Sequence, residues 1–165
     1  MDPIFQRVSI RQFEDRPVEK EKAETLLRAA MAAPSATNQQ PWEFVVVTEP
    51  ETLQALSRCT PYAGPMGRAS TGFVLCMRKE VRAPQFAPQD MGAATENLLL
   101  EAAELGLGAV WMGVCPEEGW MSAVAQVLNI SESIQPFAMV ACGYPAEEKD
   151  QADRYDPQRI HWERW

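Results

Sequence analysis

The chain alternates short apolar stretches with segments of helical character, and this alternation is the feature that most limits its fold. Four apolar stretches predict strands, at 43–48, 71–78, 107–114 and 136–143, and the first two are continuous enough to be buried. Periodicity and terminating residues predict helices, at 19–33, 50–58, 90–105 and 117–128, with Asp90 capping the third. This order indicates a layered α/β or α+β domain in which helices cover a sheet.

Length and charge exclude several classes of protein. A chain of 165 residues predicts a single domain, 1–165. Its net charge of −8 argues against a nucleic-acid surface, because binding to phosphate backbones needs a basic face. Every apolar run is shorter than the roughly 18 residues of a membrane span. The first residues become charged before an apolar stretch of signal-peptide length, so we expect a cytoplasmic protein.

The cysteines agree with a reducing compartment. They stand at positions 59, 76, 115 and 142, without the spacing of a zinc site. Cys76 and Cys142 lie inside apolar runs and are predicted to be reduced core residues.

The chain lacks the side chains of most self-sufficient enzymes. Its one histidine, His161, is four residues from the end, where a packing or surface role is the expected one. There is no P-loop, and the glycine-rich segment 106–111 follows a helix and opens a strand, the reverse of a dinucleotide-binding turn. An enzyme built on this chain would therefore depend on a cofactor for its chemistry.

The first candidate binding segment is Arg7-Val8-Ser9-Ile10-Arg11. In an extended conformation, alternate side chains point the same way, so Arg7, Ser9 and Arg11 would share one face. Two guanidinium groups and a hydroxyl suit a phosphate group. An edge strand with a solvated charged face explains the pattern equally simply.

The second candidate is the segment 33–42, which joins a predicted helix to a predicted strand. It contains Ser35, Asn38 and two glutamines between Pro34 and Pro41. Amide and hydroxyl groups can pair with the edge of a flat polar ring, although an ordinary helix-to-strand connection remains open.

The third candidate lies at 106–113, where glycines at 106, 108 and 113 would let the backbone approach another object closely. Tight packing between strands is the alternative. The fourth lies near the C-terminus, where Arg154 is either a phosphate ligand or the partner of Asp153 or Asp156 in a surface ion pair.

In chain order these segments resemble the FMN-dependent nitroreductase family. The resemblance rests on Arg-x-Ser-x-Arg at 7–11, Pro-Ser-Ala-x-Asn-x-Gln-Pro-Trp at 34–42, Asn97–Ala103 with Leu105–Gly108 and Trp111-Met112-Gly113, and Gly143-Tyr144-Pro145 with Arg154. It covers residues 7 to about 160.

The resemblance implies an α+β, three-layer fold with a central mixed sheet flanked by helices. It also implies a homodimer that binds FMN between its subunits. By this resemblance Arg7, Ser9 and Arg154 are phosphate and ribityl ligands, and Arg11 lies near the phosphate or the pyrimidine edge of the flavin. Trp111, Met112 and Gly113 present their backbone to the flavin N5. The partner subunit contributes Pro34, Ser35 and Ala36, with Asn38 nearby.

The C-terminal segment 144–165 does not follow the alternation of strands and helices, and it carries two of the five tryptophans in its final four residues. Such side chains are seldom left free in solution, so we expect either folding back or a domain-swapped arm on the partner subunit. The family's long central insertion is missing here, and Tyr62 to Gly67 and Pro84 to Pro88 are candidate walls of the substrate pocket.

The function implied is that of an FMN-dependent oxidoreductase. NADH or NADPH would give hydride to the flavin, and a small acceptor such as a nitroaromatic or a quinone would then use the same pocket, which is ping-pong kinetics. The alternative is a non-catalytic FMN-binding or flavin-handling protein, and a cofactor-free interaction domain is the simplest third possibility.

Overall fold

The structure, a computed structural model, describes residues 2–165 and contains a four-stranded sheet. The strands are β1 (Trp42–Val47), β2 (Thr71–Arg78), β3 (Gly108–Gly113) and β4 (Ile134–Gly143), in the spatial order β1-β2-β4-β3. All three pairings of neighbouring strands are antiparallel. The parallel component is an isolated bridge between Ser9 and Ala109 at the β3 edge.

Among residues 2–165, five α-helices accompany the sheet: α1 (Pro3–Gln6), α2 (Lys20–Met31), α3 (Pro50–Leu56), α4 (Ala87–Glu104) and α5 (Glu118–Leu128). One core forms between the sheet and α2 and α4, and it includes Phe73 of β2 and Val140 of β4. A second core forms on the opposite face with α3 and α5, and it includes Val74 and Met139. The fold is therefore the three-layer α+β arrangement expected from the sequence.

Burial explains which strand predictions were accurate. β2 and β4 lie in the middle of the sheet with apolar layers on both faces, so their sequences are continuously apolar. The predicted bounds 71–78 match β2 at both ends. The expectation that the first strand is buried holds only at its ends: β1 is an edge strand in which Trp42 and Val47 are buried but Val46 is 40% exposed.

The start of α4 also differs from expectation. The helix begins at Ala87, three residues before Asp90, and the residue that caps it is Phe86. Asp90 lies in the first turn and is buried. Its carboxylate binds a neighbouring loop instead of the helix's own N–H groups, as described below.

The C-terminal segment first packs against its own chain. Phe13 and Pro145 form an antiparallel bridge, and Ala146 N–H donates to the Gln12 carbonyl at 3.0 Å. The Gln151 amide donates to the carbonyls of Ile4 and Arg7 at 2.9 and 3.1 Å. Beyond this point apolar side chains lie largely exposed, with Tyr155 at 74%, Trp162 at 84% and Trp165 at 100%.

Cys76 and Cys142 are buried, as their apolar context predicted. Removal from water disfavours the thiolate form, and burial raises the pKa of each thiol to about 12.

Candidate functional site

Residues 7–11 lie along the outer edge of β3. The backbone N–H of Ile10 donates to the Ala109 carbonyl at 3.1 Å, next to the bridge between Ser9 and Ala109. Gly108 allows this close approach, since a Cβ atom built there would lie 2.7 Å from Cγ2 of Ile10. Gly108 therefore serves close packing within the chain and not the approach of another molecule. This packing fixes the positions of Ser9 and Arg11.

Arg7 lies where α1 ends, and its side chain turns toward α4. Its Nε is 3.3 Å from the Glu96 carboxylate, and only 19% of the side chain is exposed. It lines a cavity of about 390 Å³ together with residues 106–109 and the 147–150 segment, including Lys149. Lys149 lines this cavity beside three carboxylates, Glu147, Glu148 and Asp150. A phosphate group placed here would therefore depend on direct hydrogen bonds from the Arg7 guanidinium.

Arg11 lines a different cavity, of about 540 Å³, together with Trp111, Met112 and Gly113. Thus Arg7 and Arg11 do not share one cavity within the chain, although regular alternation would place them on one face. The cause is that Arg7 ends the α1 turn and pairs with α4, whereas Arg11 follows the bridge to β3.

The end of β3 offers backbone donors to this second cavity. The Ala109 carbonyl points away from β4, because it accepts from Ile10. Alternate residues of a strand direct their N–H and C=O groups to the same edge, so Trp111 and Gly113 also point outward. A Cβ atom built at Gly113 would meet no atom of the described residues within 4 Å, so the strand end opens onto free space.

The loop from Pro34 to Gln40 is held by Asp90. The Ala36 N–H donates to Asp90 Oδ1 at 2.9 Å, and the Gln39 amide donates to Asp90 Oδ2 at 2.6 Å. The Ser35 hydroxyl accepts from the Gln40 N–H at 3.0 Å. Thr37, Asn38 and Gln40 have φ between 47° and 54°, a left-handed conformation that the surrounding bonds maintain.

This loop faces a third cavity, of about 850 Å³, which Asn38 lines together with Arg78 and Arg82. Arg154 lies in the exposed C-terminal segment. The residues predicted from the sequence therefore occupy separate surfaces of one chain: Arg7 in the first cavity, Arg11 and 111–113 in the second, and Asn38 in the third.

The second cavity contains residues that the sequence did not identify as functional. Arg68 and Trp120 line it, as do Tyr62, Gly64 and Pro65 from the stretch expected to form a pocket wall. Residues 84–88 are not among its lining residues. Trp120 lies inside the predicted helix 117–128, where an apolar residue is expected to pack in the core, and a single arginine in a loop forms no pattern. Neither residue therefore suggested a functional role.

Glu147 connects the C-terminal segment to the candidate site. Its carboxylate accepts from Lys149 Nζ and from the N–H groups of Arg11 and Gln12. The hydrogen bond from Lys149 and those from the two N–H groups lower the pKa of Glu147 to about 2. This network fixes the backbone at Arg11.

Among residues 2–165, none of the helices combines the length and the apolarity needed to cross a bilayer. The same described residues contain no cluster of three or more histidine, cysteine or carboxylate side chains suited to a metal ion.

Comparison with known proteins gives a consistent picture. The model of the nitroreductase family matches residues 4–63 and 58–144. A protein of Archaeoglobus fulgidus, provisionally named an NADH dehydrogenase/NAD(P)H nitroreductase, is 43% identical over 98% of this chain and 96% of its own length. A crystal structure of a provisionally named NADH oxidase from Clostridium acetobutylicum has a TM-score of 0.97 and 45% identity, over 99% of this chain and 100% of that one. An FMN-dependent nitroreductase from Clostridium difficile has a TM-score of 0.93 and 28% identity, over 99% of both chains.

Proposed function

The chain belongs to the nitroreductase family, and we propose that it is an FMN-dependent enzyme that uses NAD(P)H to reduce a small acceptor such as a nitroaromatic or a quinone. One observation carries the proposal: Arg11 and the outward-facing backbone of Trp111 and Gly113 line one open cavity at the end of an edge strand. The names of its relatives, including an FMN-dependent nitroreductase, support the same activity.

The donors present suit FMN. A half-buried guanidinium at Arg7 and the hydroxyl of Ser9 would hold its phosphate and ribityl chain, together with Arg154 from the C-terminal segment. Arg11 would face the pyrimidine edge, and the backbone of Trp111, Met112 and Gly113 would face N5. These groups are strong donors, which is what a phosphate and a polar ring edge require.

When bound, FMN supplies the redox chemistry by accepting hydride from NAD(P)H and passing electrons to the acceptor. The chain supplies positioning and charge. The Arg11 guanidinium would stabilise negative charge on the bound ring, and an outward N–H at the β3 end would help to orient that ring. His161 is exposed in the C-terminal segment, so we assign proton supply to water.

We also propose that the active form is a homodimer of single-domain chains. Within one chain Thr37, Asn38 and Gln39 of this loop line a different cavity from Arg11 and residues 111–113. A second subunit would supply Pro34, Ser35 and Ala36, with Asn38 nearby, and its segment after Gln151 would cover exposed apolar surface. The exposure of Tyr155, Trp162 and Trp165 supports an arm that crosses to the partner. The buried, reduced thiols Cys76 and Cys142 support a cytoplasmic location.

Initial-rate kinetics test this function. Purified protein incubated with FMN is assayed anaerobically with NADH or NADPH against a panel of nitroaromatics and quinones. Turnover is expected, and double-reciprocal plots should give parallel lines, because donor and acceptor occupy one pocket in turn. Intersecting lines would contradict the shared pocket. Tight FMN binding without turnover would instead indicate a flavin-handling protein.

A further inference from the structure

The cavity lined by Arg11, Tyr62, Arg68, 111–113 and Trp120, here named the Arg68 cavity, has an unusual charge for this protein. Two arginines line it, and among residues 2–165 no carboxylate does. The whole chain carries a net charge of −8. The other two cavities of the candidate site mix cations with carboxylates, namely Glu147, Glu148 and Asp150 in the Arg7 cavity and Glu80 in the Asn38 cavity. The Arg68 cavity therefore favours an anionic ligand.

A hydrogen bond holds the Arg68 side chain in place, but no carboxylate among the described residues pairs with its charge. Its Nε donates to the Arg11 carbonyl at 3.1 Å, and its terminal nitrogens lie across Gly64, 3.7 and 3.9 Å from a Cβ built there. Glu14 and Asp15 line an adjacent cavity that Arg68 also borders. Within residues 2–165, however, no carboxylate comes within 4.0 Å of its guanidinium. The two terminal nitrogens are therefore available to a ligand.

Aromatic rings lie in the same cavity as this charge. Tyr62 and Trp120 meet edge to face, with ring centroids 6.0 Å apart and an interplanar angle of 77°. Tyr62 is 71% exposed, so its ring has surface available for another ring.

The loop that carries Tyr62 and Arg68 is anchored by the core. Ala63 and Met66 are both fully buried, and the Gln54 amide donates to the Gly67 carbonyl at 2.7 Å. A binding surface on an anchored loop loses little freedom when a ligand binds.

Building on the proposed function, we propose that the preferred acceptor is a planar aromatic compound with an anionic substituent, and that Arg68 binds that substituent. The aromatic pair and the guanidinium line a single cavity of about 540 Å³, the one proposed to face the flavin ring, so an acceptor lying against that ring would bring its own anionic substituent within reach of Arg68. The nicotinamide ring of the donor does not meet this requirement, since its phosphates are separated from the ring by a ribose. Arg68 thus discriminates among acceptors and not between donors.

The test compares two acceptors of nearly equal shape, 4-nitrobenzoate and its neutral analogue 4-nitrobenzamide. In ping-pong kinetics, kcat/KM for each substrate reports its own half-reaction. Arg68→Gln should lower kcat/KM for 4-nitrobenzoate by about tenfold, the effect of losing a charge-assisted hydrogen bond in a partly exposed cavity. The values for 4-nitrobenzamide and for NADPH should change less than about twofold. Arg68→Lys keeps the charge but loses the planar fork and the Nε bond to the Arg11 carbonyl, so it should recover only part of the loss.

The matched control is Arg58→Gln, which removes one exposed arginine outside the Arg68 cavity and should leave all three values unchanged. Equal losses for both acceptors in Arg68→Gln would show that Arg68 only positions Arg11, and they would overturn the inference. A loss confined to NADPH would overturn it as well, because the anion would then belong to the donor. Equal kcat/KM values of the wild-type enzyme for 4-nitrobenzoate and 4-nitrobenzamide would also overturn the inference.

A binding measurement separates this inference from the proposed function. Calorimetry with benzoate on the FMN-incubated protein needs no turnover. Binding that weakens about tenfold in Arg68→Gln supports the inference even if no acceptor is reduced, in which case the enzymatic proposal alone fails. Equal or undetectable benzoate binding in wild type and variant overturns the inference, whatever the protein's activity.

Discussion

The backbone N–H of Ala36 donates to the carboxylate of Asp90 across 2.9 Å, which links the 34–40 loop to the first turn of α4. The second oxygen of Asp90 accepts from Gln39, whose amide also pairs with the backbone of Ala83. One buried carboxylate therefore organises the loop that is proposed to reach the partner's flavin. The left-handed residues at 37, 38 and 40 depend on this support.

Asp90→Asn should destabilise the protein by about 2 kcal/mol, because one charge-assisted bond is lost and an amide group then faces a donor. The free energy of unfolding in urea measures the effect. Glu118→Gln is the matched control, since it also removes a carboxylate from the first turn of a helix but an exposed one. We expect it to cost less than about 1 kcal/mol. Equal unfolding midpoints for Asp90→Asn and wild type would contradict the assigned role.

Arg7→Ala should leave the fold intact and weaken FMN binding by about tenfold or more, because it removes a half-buried guanidinium from the proposed phosphate site. Fluorescence titration with FMN gives the dissociation constant, and circular dichroism checks the fold. Arg58→Ala serves as the control, since that side chain is exposed. An unchanged dissociation constant in Arg7→Ala would exclude Arg7 from the site.

Protonation of Glu147 should lower the free energy of unfolding in acid. Its pKa is lowered from 4.5 to about 2 in the folded protein, chiefly by the hydrogen bond from Lys149. The stabilisation is complete above pH about 4.5 and disappears as the pH falls toward about 2, since the unfolded chain takes up the proton first. Glu147→Gln should therefore flatten the decline of the thermal midpoint over this range. Glu148→Gln, which removes an exposed carboxylate one residue away, should keep the wild-type slope. A wild-type slope in Glu147→Gln would contradict the proposed network.

A chain that ends at Gln151 should be a folded monomer. Residues up to Gln151 bond to their own N-terminal segment, whereas the following fourteen residues expose Tyr155, Trp162 and Trp165. If these side chains cover the partner, their loss removes much of the dimer's apolar interface. Sedimentation velocity measures the mass, and the full-length chain is the reference. A truncated chain that still sediments as a dimer would show that the arm does not hold the subunits together.

The sequence predicted the framework well because periodicity and burial act locally. The bounds of β2 follow from an unbroken apolar run, and the helices follow from their spacing and terminating residues. The exposure of β1 could not be predicted in this way. β1 is an edge strand only because of the spatial order of the strands, which local patterns do not reveal. The sequence suggested that Asp90 caps a helix, because local patterns give no sign of its contact with Ala36, which is 54 residues away along the chain.

Predictions about the site were limited in the same way, because local sequence patterns can be recognised but contacts between distant parts of the chain cannot. Motif resemblance identified Arg11 and 111–113, which the fold brings into one cavity. Alternation alone suggested that Arg7 and Arg11 share a face, but α1 ends at Gln6 and Arg7 then turns to Glu96. Arg68 has no pattern around it in the sequence, and only the bond to the Arg11 carbonyl reveals its position.

The central claim is that FMN bound to this chain carries electrons from NAD(P)H to an acceptor. The most direct test is anaerobic spectroscopy of the FMN-incubated protein after removal of free flavin. We expect a yellow protein whose flavin absorbance disappears on adding NADH or NADPH and returns on adding a nitroaromatic or quinone. A colourless protein, or a yellow one whose spectrum neither nucleotide changes, would contradict the claim.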